Sequence, residues 1–224
     1  MKKNFIMTNK LPFNNVCQKE NRGFTLAEVL ITLVIVGIIA AITVPSLMNK
    51  LERNELRSQF NKAVRVSSEA VQRMKLDYGD IVYDNNEDTV TIFRDRFMSY
   101  FSVICKDNCV DNSKYKNFAN LNDGAIYFIT RCFIVQDGMS YCVHKGGTTN
   151  IYITIDVNGP NKKPNRWGYD TFTFYVPFKN QVLKPCNIDI PTGDMKCNSM
   201  GTSYNGAGCT AKALADPNYF KNLH

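Results

Sequence analysis

The sequence predicts an α+β protein: a long N-terminal helix packed on an antiparallel β-sheet, followed by a disulfide-stapled, loop-rich C-terminal region. Three observations predict it. A helical pattern covers residues 24–79, apolar all round in its first half and one-sided in its second. Segments rich in β-branched and aromatic residues follow in the middle of the chain. Seven of the eight cysteines lie after residue 100, and none of those seven is on the helix.

The helix begins with Leu26–Val44, 19 residues carrying a single charge, Glu28. As a helix this stretch spans about 28 Å, close to the hydrocarbon thickness of a bilayer. Before it stand Lys2, Lys3, Lys10, Lys19 and Arg22 against one acid, Glu20. Mixed charges follow it. The basic excess on the N-terminal side predicts a cytoplasmic N-terminus and an extracytoplasmic body. A secretory signal is the first alternative, but its apolar region is shorter and ends in a small-residue cleavage site. An ordinary signal anchor fits better, yet leaves Glu28 unexplained, because a carboxylate inside an apolar span costs energy unless something compensates it.

Pro45 lacks an N–H and is expected to kink or locally break the helix. Beyond it Leu51, Leu56, Phe60, Ala63, Val64, Ala70, Val71 and Met74 recur on one face, the pattern of a helix packed on a folded domain. Gly79 is the expected terminator. The domain organisation expected is thus 1–23, 24–45, 46–79 and 80–224.

Residues 80–123 read as irregular, with a short helix near Thr91–Cys105. Ala125–Val135, Ser140–His144, Ile151–Val157 and Thr171–Val176 read as strands. Gln136-Asp137-Gly138 makes a tight hairpin of the first two. With a three-residue loop, Cys132 faces Cys142, within disulfide reach. Cys105 and Cys109 can close a small loop. Two of Cys186, Cys197 and Cys209 are expected to pair, and with seven cysteines one is left over. Cysteines so placed point to an oxidising compartment. A zinc site is the competing reading, but it needs paired Cys-x-x-Cys or Cys/His clusters, and the sequence has only two histidines.

The net charge is +7, of which residues 1–23 hold +4, so the rest of the chain is mildly basic and does not point to nucleic acid. No G-x-S-x-G, H-E-x-x-H or phosphate loop occurs. The expectation is a protein that is not an enzyme, with a membrane-anchored extracytoplasmic enzyme as the alternative of another class.

From Arg22 the chain reads R-G-F-T-L-A-E-V-L-I-T-L-V-I-V-G-I-I-A-A-I-T-V-P. This resembles the cleavage and methylation motif of type IV prepilins and type II secretion pseudopilins. The resemblance implies that residues 1–23 are a cytoplasmic leader; this leader is longer than the short ones of many pseudopilins, and Met7 is a second candidate start. It implies cleavage between Gly23 and Phe24 by a membrane prepilin peptidase, which also N-methylates Phe24. Glu28, fifth in the mature chain, would face the N-terminal amine of a neighbouring pilin or pseudopilin subunit. Pro45 falls where the family has its helix-kinking proline. The implied partners include an inner-membrane assembly platform. The implied location is the inner membrane, single-pass, and then a filament. The leading expectation is a pseudopilin; the alternative is a type IV or competence pilin for adhesion, motility or DNA uptake.

The segment from Asp156-Val157-Asn158-Gly159-Pro160 to Trp167-Gly168-Tyr169-Asp170 also resembles a loop of major pseudopilins that holds calcium. Asp156, Asn158 and Asp170 would be the oxygen ligands. The other reading is an Asx-turn loop without metal, beside the basic Lys162, Lys163 and Arg166.

Overall fold

A computed structural model describes residues 23–80, 87–121, 129–146, 149–186, 197 and 205–223. The chain divides into two compact units, Met1–Ser46 and Leu47–His224. The first helix, α1 (Leu26–Tyr78), contributes to both. It is continuous through Pro45, so the expected local break is not there. Proline removes one hydrogen bond, to the carbonyl four residues earlier, and the flanking turns keep theirs.

In the first unit the described residues are exposed along the helix, with only Ala40 half-buried. Val29, Leu30, Ile31, Leu33, Val34 and Ile35 are all among the exposed apolar side chains. The most apolar 18-residue window of α1 has mean hydropathy 2.6 and none of it is buried. It is the one described helix long and apolar enough to cross a membrane.

The second unit is an α+β head. Here α1 buries Leu56, Phe60, Ala63, Ser67, Ala70, Val71 and Met74, a stripe at spacings of three, four and one. Leu51, expected on this stripe, is exposed, so the stripe begins one turn later. Gly79 adopts φ +71°, the left-handed conformation that ends a helix and that glycine takes without a Cβ clash. The second helix, α2 (Glu87–Met98), packs Val90, Phe93 and Phe97 into the same core.

Six strands form one antiparallel sheet in sequential order: β1 (Val103–Lys106), β2 (Cys132–Val135), β3 (Ser140–Gly146), β4 (Asn150–Asp156), β5 (Thr171–Pro177) and β6 (Lys184–Pro185). Alternation along the strands separates two cores. Ile151, Ile153, Ile155, Phe172, Phe174 and Val176 join the core with α1 and α2. Phe60 sits at its middle, its ring 4.5 Å from Phe172 and 5.4 Å from Phe220. Tyr152, Cys132 and Cys142 line the opposite face with Tyr115, Trp167 and Cys186. Both faces of the sheet are therefore covered, which is why its central strands β4 and β5 are buried along most of their length.

The threonines on the second face are paired rather than wet. Thr154 Oγ1 and Thr173 Oγ1 lie 3.1 Å apart, Trp167 Nε1 donates to Thr173 Oγ1 at 2.9 Å, and Thr173 N donates to Thr210 Oγ1 at 3.0 Å. A buried hydroxyl costs little once it is bonded.

The structure moves several expected boundaries. The helix expected near Thr91–Cys105 ends at Met98, and Val103–Lys106 is the edge strand β1. The run Phe97–Cys105 is apolar at spacings that suit either period, and pairing with β2 decides for strand. Strand β2 covers only Cys132–Val135 of the expected Ala125–Val135, and residues 125–128 lie outside the described set. Arg131, at φ +50°, turns the chain just before it. The tail contains elements not foreseen: β6 and a third helix, α3 (Cys209–Ala215).

Candidate functional site

Gly23 and Phe24 precede the helix, and both are exposed, Phe24 to 87%. Neither residue belongs to a helix or strand, and among the described residues no atom lies within 4 Å of where a Cβ on Gly23 would stand. Helix α1 then opens with a reciprocal cap. Thr25 O accepts the helix bond from Val29 N at 3.2 Å. Thr25 N and Thr25 Oγ1 both donate to Glu28 Oε2 at 2.8 Å, and Glu28 N donates to Thr25 Oγ1 at 3.3 Å.

This is a capping box, in which the residue before the helix and the third residue within it satisfy each other's free donors. Sequence reading passed over Thr25. The signal was present, since T-L-A-E is the T-x-x-E signature. The cap has a consequence for Glu28. Its carboxylate accepts two hydrogen bonds from its own chain and is not bare at the start of the apolar segment.

The three residues of the expected calcium loop are held as follows. Asp156 ends β4 and is buried; Tyr115 OH donates to its Oδ2 at 2.7 Å and Gly159 N to its Oδ1 at 2.9 Å. Asp170, also buried, immediately precedes β5 and receives Asn165 N on Oδ2 at 2.8 Å and Arg166 N on Oδ1 at 2.6 Å. Burial raises both carboxyls above the ordinary range, Asp170 to about 6; the negative charge of Asp170 pushes Asp156 up further. Asn158 is half-buried, and its Nδ2 donates to Lys163 O at 3.4 Å.

The loop between them is tightly constrained. Gly159 has φ +88°, and a Cβ there would strike the Gly138 carbonyl oxygen at the β2–β3 hairpin. Arg166 donates to Phe118 O and lies 3.9 Å over the Tyr169 ring. Its guanidinium is therefore spent on positioning the loop and does not form an exposed basic cluster with Lys162 and Lys163.

Two buried amide oxygens in this loop, Asn158 Oδ1 and Asn165 Oδ1, have no hydrogen-bond partner. Like the two carboxyls of this loop they are oxygen donors, the chemistry that a hard cation takes. Among the described residues no group of three or more His, Cys, Asp or Glu is placed to hold a metal ion, so amide or carbonyl oxygens would have to complete the shell. Tyr115 and Asn165 were missed in the sequence; Tyr115 is 41 positions from the acid it contacts, and no local pattern marks it.

The cysteines fall into three bridges, Cys105–Cys109, Cys132–Cys142 and Cys197–Cys209. Cys132 and Cys142 stand opposite each other in the β2–β3 register. Cys186 is free and buried, and burial raises its thiol well above the ordinary range, which leaves it unreactive. His144 is half-buried on β3, its ring stacked 6.5 Å from Tyr152.

Residues 18–44 match the family described as the prokaryotic N-terminal methylation motif. No curated protein and no solved structure matches the chain.

Proposed function

We propose that the chain, whose residues 18–44 match the prokaryotic N-terminal methylation motif, is a type IV pilin-like filament subunit, a type II secretion pseudopilin. The observation that carries the filament reading is the junction of two features. An exposed Gly23–Phe24 bond stands just before a helix whose apolar first half is exposed among the described residues. Such a surface needs lipid or copies of itself.

In this reading the chemistry is done to the chain. A prepilin peptidase removes residues 1–23 and methylates Phe24. The new amine meets Glu28 of a neighbouring subunit, and the ion pair sets the register between helices while the head faces outwards. Thr25 keeps the Glu28 carboxylate hydrogen-bonded until that partner arrives. The energy for assembly comes from elsewhere, through an inner-membrane platform.

Mass spectrometry of the membrane-extracted chain, co-expressed with a prepilin peptidase, tests the class. A mature chain starting at N-methylated Phe24, lost on altering Gly23 or Glu28, is the expected result. A chain that keeps its leader, or is cut near residue 45, removes the filament reading.

The buried oxygen set of the 156–170 loop favours the pseudopilin over a type IV or competence pilin, through the resemblance of that loop. In this reading calcium is held by Asp156, Asp170 and Asn158, where it supplies positive charge to two carboxyls that repel each other. Calcium should raise the melting temperature of the wild-type chain and leave an Asp170→Asn variant unmoved. Equal melting in calcium and in chelator removes the metal. Gene deletion separates the two roles: loss of protein secretion supports the pseudopilin, and intact secretion with lost DNA uptake or surface pili supports the pilin.

A further inference from the structure

Three separate stretches of the head converge at the end where the chain enters it. Lys50, Arg53 and Arg57 lie at i, i+3 and i+7 of α1 and share one face. Arg53 Nη1 donates to Lys221 O at 2.7 Å, which brings the C-terminal turn Tyr219–Asn222 beside that face. Lys162 Nζ is 3.6 Å from a Glu55 carboxylate oxygen, and a cleft of about 290 Å³ between the same helical turns and the 158–163 loop is lined by both.

The result is a basic collar. Lys50, Arg57, Lys162, Lys163 and Lys221 are exposed and Arg53 is half-buried; the acids beside them are Glu52 and Glu55. Only Lys162 of these cations is engaged with an acid, and among the described residues no acid pairs Lys50, Arg57 or Lys163. Farther along α1 three of the four cations are paired with acids: Lys62 with Asp137 at 2.7 Å, Arg65 with Glu69 at 3.5 Å, Lys75 with Asp80 at 3.7 Å. Among the described residues Lys50, Arg57 and Lys163 thus bring unpaired positive charge together at the entry end.

We propose that this collar binds the phosphates of anionic phospholipids in the leaflet on the head's side. The inference rests on the reading of Leu26–Val44 as a membrane span. Lys50 follows Val44 by less than two turns of the same helix, which is the depth at which headgroups lie beyond the hydrocarbon. Flexible exposed lysines suit a fluid layer of phosphates, whereas a fixed protein partner would demand defined pairs. Juxtamembrane cations gain from anionic headgroups, and the gain fades within a Debye length.

The test uses the full chain reconstituted into phosphatidylcholine vesicles carrying a trace of spin-labelled phosphatidylglycerol or phosphatidylcholine. Electron paramagnetic resonance reads the motionally restricted fraction of each label. The wild type should prefer phosphatidylglycerol, on the order of fivefold, and lose most of that preference at high salt. A Lys50→Gln, Arg57→Gln, Lys163→Gln, Lys221→Gln variant should show none. Exchanging Lys for Arg and Arg for Lys at those positions should retain it, as should a leader variant with Lys2, Lys3 and Lys10 changed to Gln.

No preference in the wild type, or one that survives the four glutamines, overturns the proposal. So does an unchanged preference accompanied by lost cross-linking between copies, which would assign the collar to an acidic face of a second subunit. Flotation with vesicles after an alkaline wash reports insertion separately: a chain that does not float removes the membrane span, and the collar's role with it.

Discussion

One helix serves two regions of this protein in opposite ways. Before Ser46 its side chains are apolar on every side and exposed. After Leu47 it is apolar on one stripe, and the head covers that stripe with Phe172, Phe174 and Phe220. The second region is complete in itself, with two cores, a sheet covered on both faces and three disulfides. The first buries almost none of its apolar side chains among the described residues. Local helix-forming capacity is common to both; the difference is where each buries its apolar surface.

Four changes would break or sharpen this comparison. The largest effect is expected in the core of the head. Phe60→Ala should cost about 3–5 kcal/mol, because it leaves a cavity among well-packed rings. Leu33→Ala, in the exposed half, should leave the urea midpoint of the head where it was; a matching loss would show that the two regions fold as one.

Replacing both Cys132 and Cys142 by Ser should cost about 2–4 kcal/mol in urea unfolding, chiefly by freeing the unfolded chain. The mean position of the apolar segment in vesicles should not respond.

The acid pair gives a pH signature. The folded head holds protons on Asp156 and Asp170 at pH values where the unfolded chain has released them, since burial raises both carboxyls and Asp170 reaches about 6. The contribution of Asp170 is therefore fully present below about pH 4 and is lost as pH rises through about 6, and that of Asp156 is lost in the same direction. Thermal melts in chelator should show this fall, worth about 1–3 kcal/mol. Asp170→Asn should flatten it, and added calcium should offset it at neutral pH.

The smallest effect belongs to the cap. Thr25→Val removes the hydroxyl that bonds Glu28, and helix-start capping groups are worth about 1 kcal/mol. Faster amide exchange at residues 26–29, with the head unchanged, is the expected reading.

What could be read in advance depended on distance along the chain. The span, the stripe on α1, the Gly79 stop and the hairpin that sets Cys132 against Cys142 rest on residues close together in sequence. Period, turn chemistry and register are local properties, and each is visible in a short window. Gly23, Phe24 and Glu28, expected as the processing and assembly residues, likewise lie within one short window, the one that the methylation motif matches. The cap at Thr25 is equally local, a T-x-x-E signature within four residues.

The sequence by itself determined the helical N-terminus, its apolar and one-sided halves, and the antiparallel character of the head, since spacing, side-chain volume and charge decide those. Only the tertiary structure decided that Val103–Lys106 is a strand, that Cys197 takes Cys209 and leaves Cys186 buried, and that Tyr115 reaches across to Asp156. Each of these depends on a partner far along the chain. No window of the sequence contains both members, and the choice among possible partners is made by which pairing lets the whole head bury its surface.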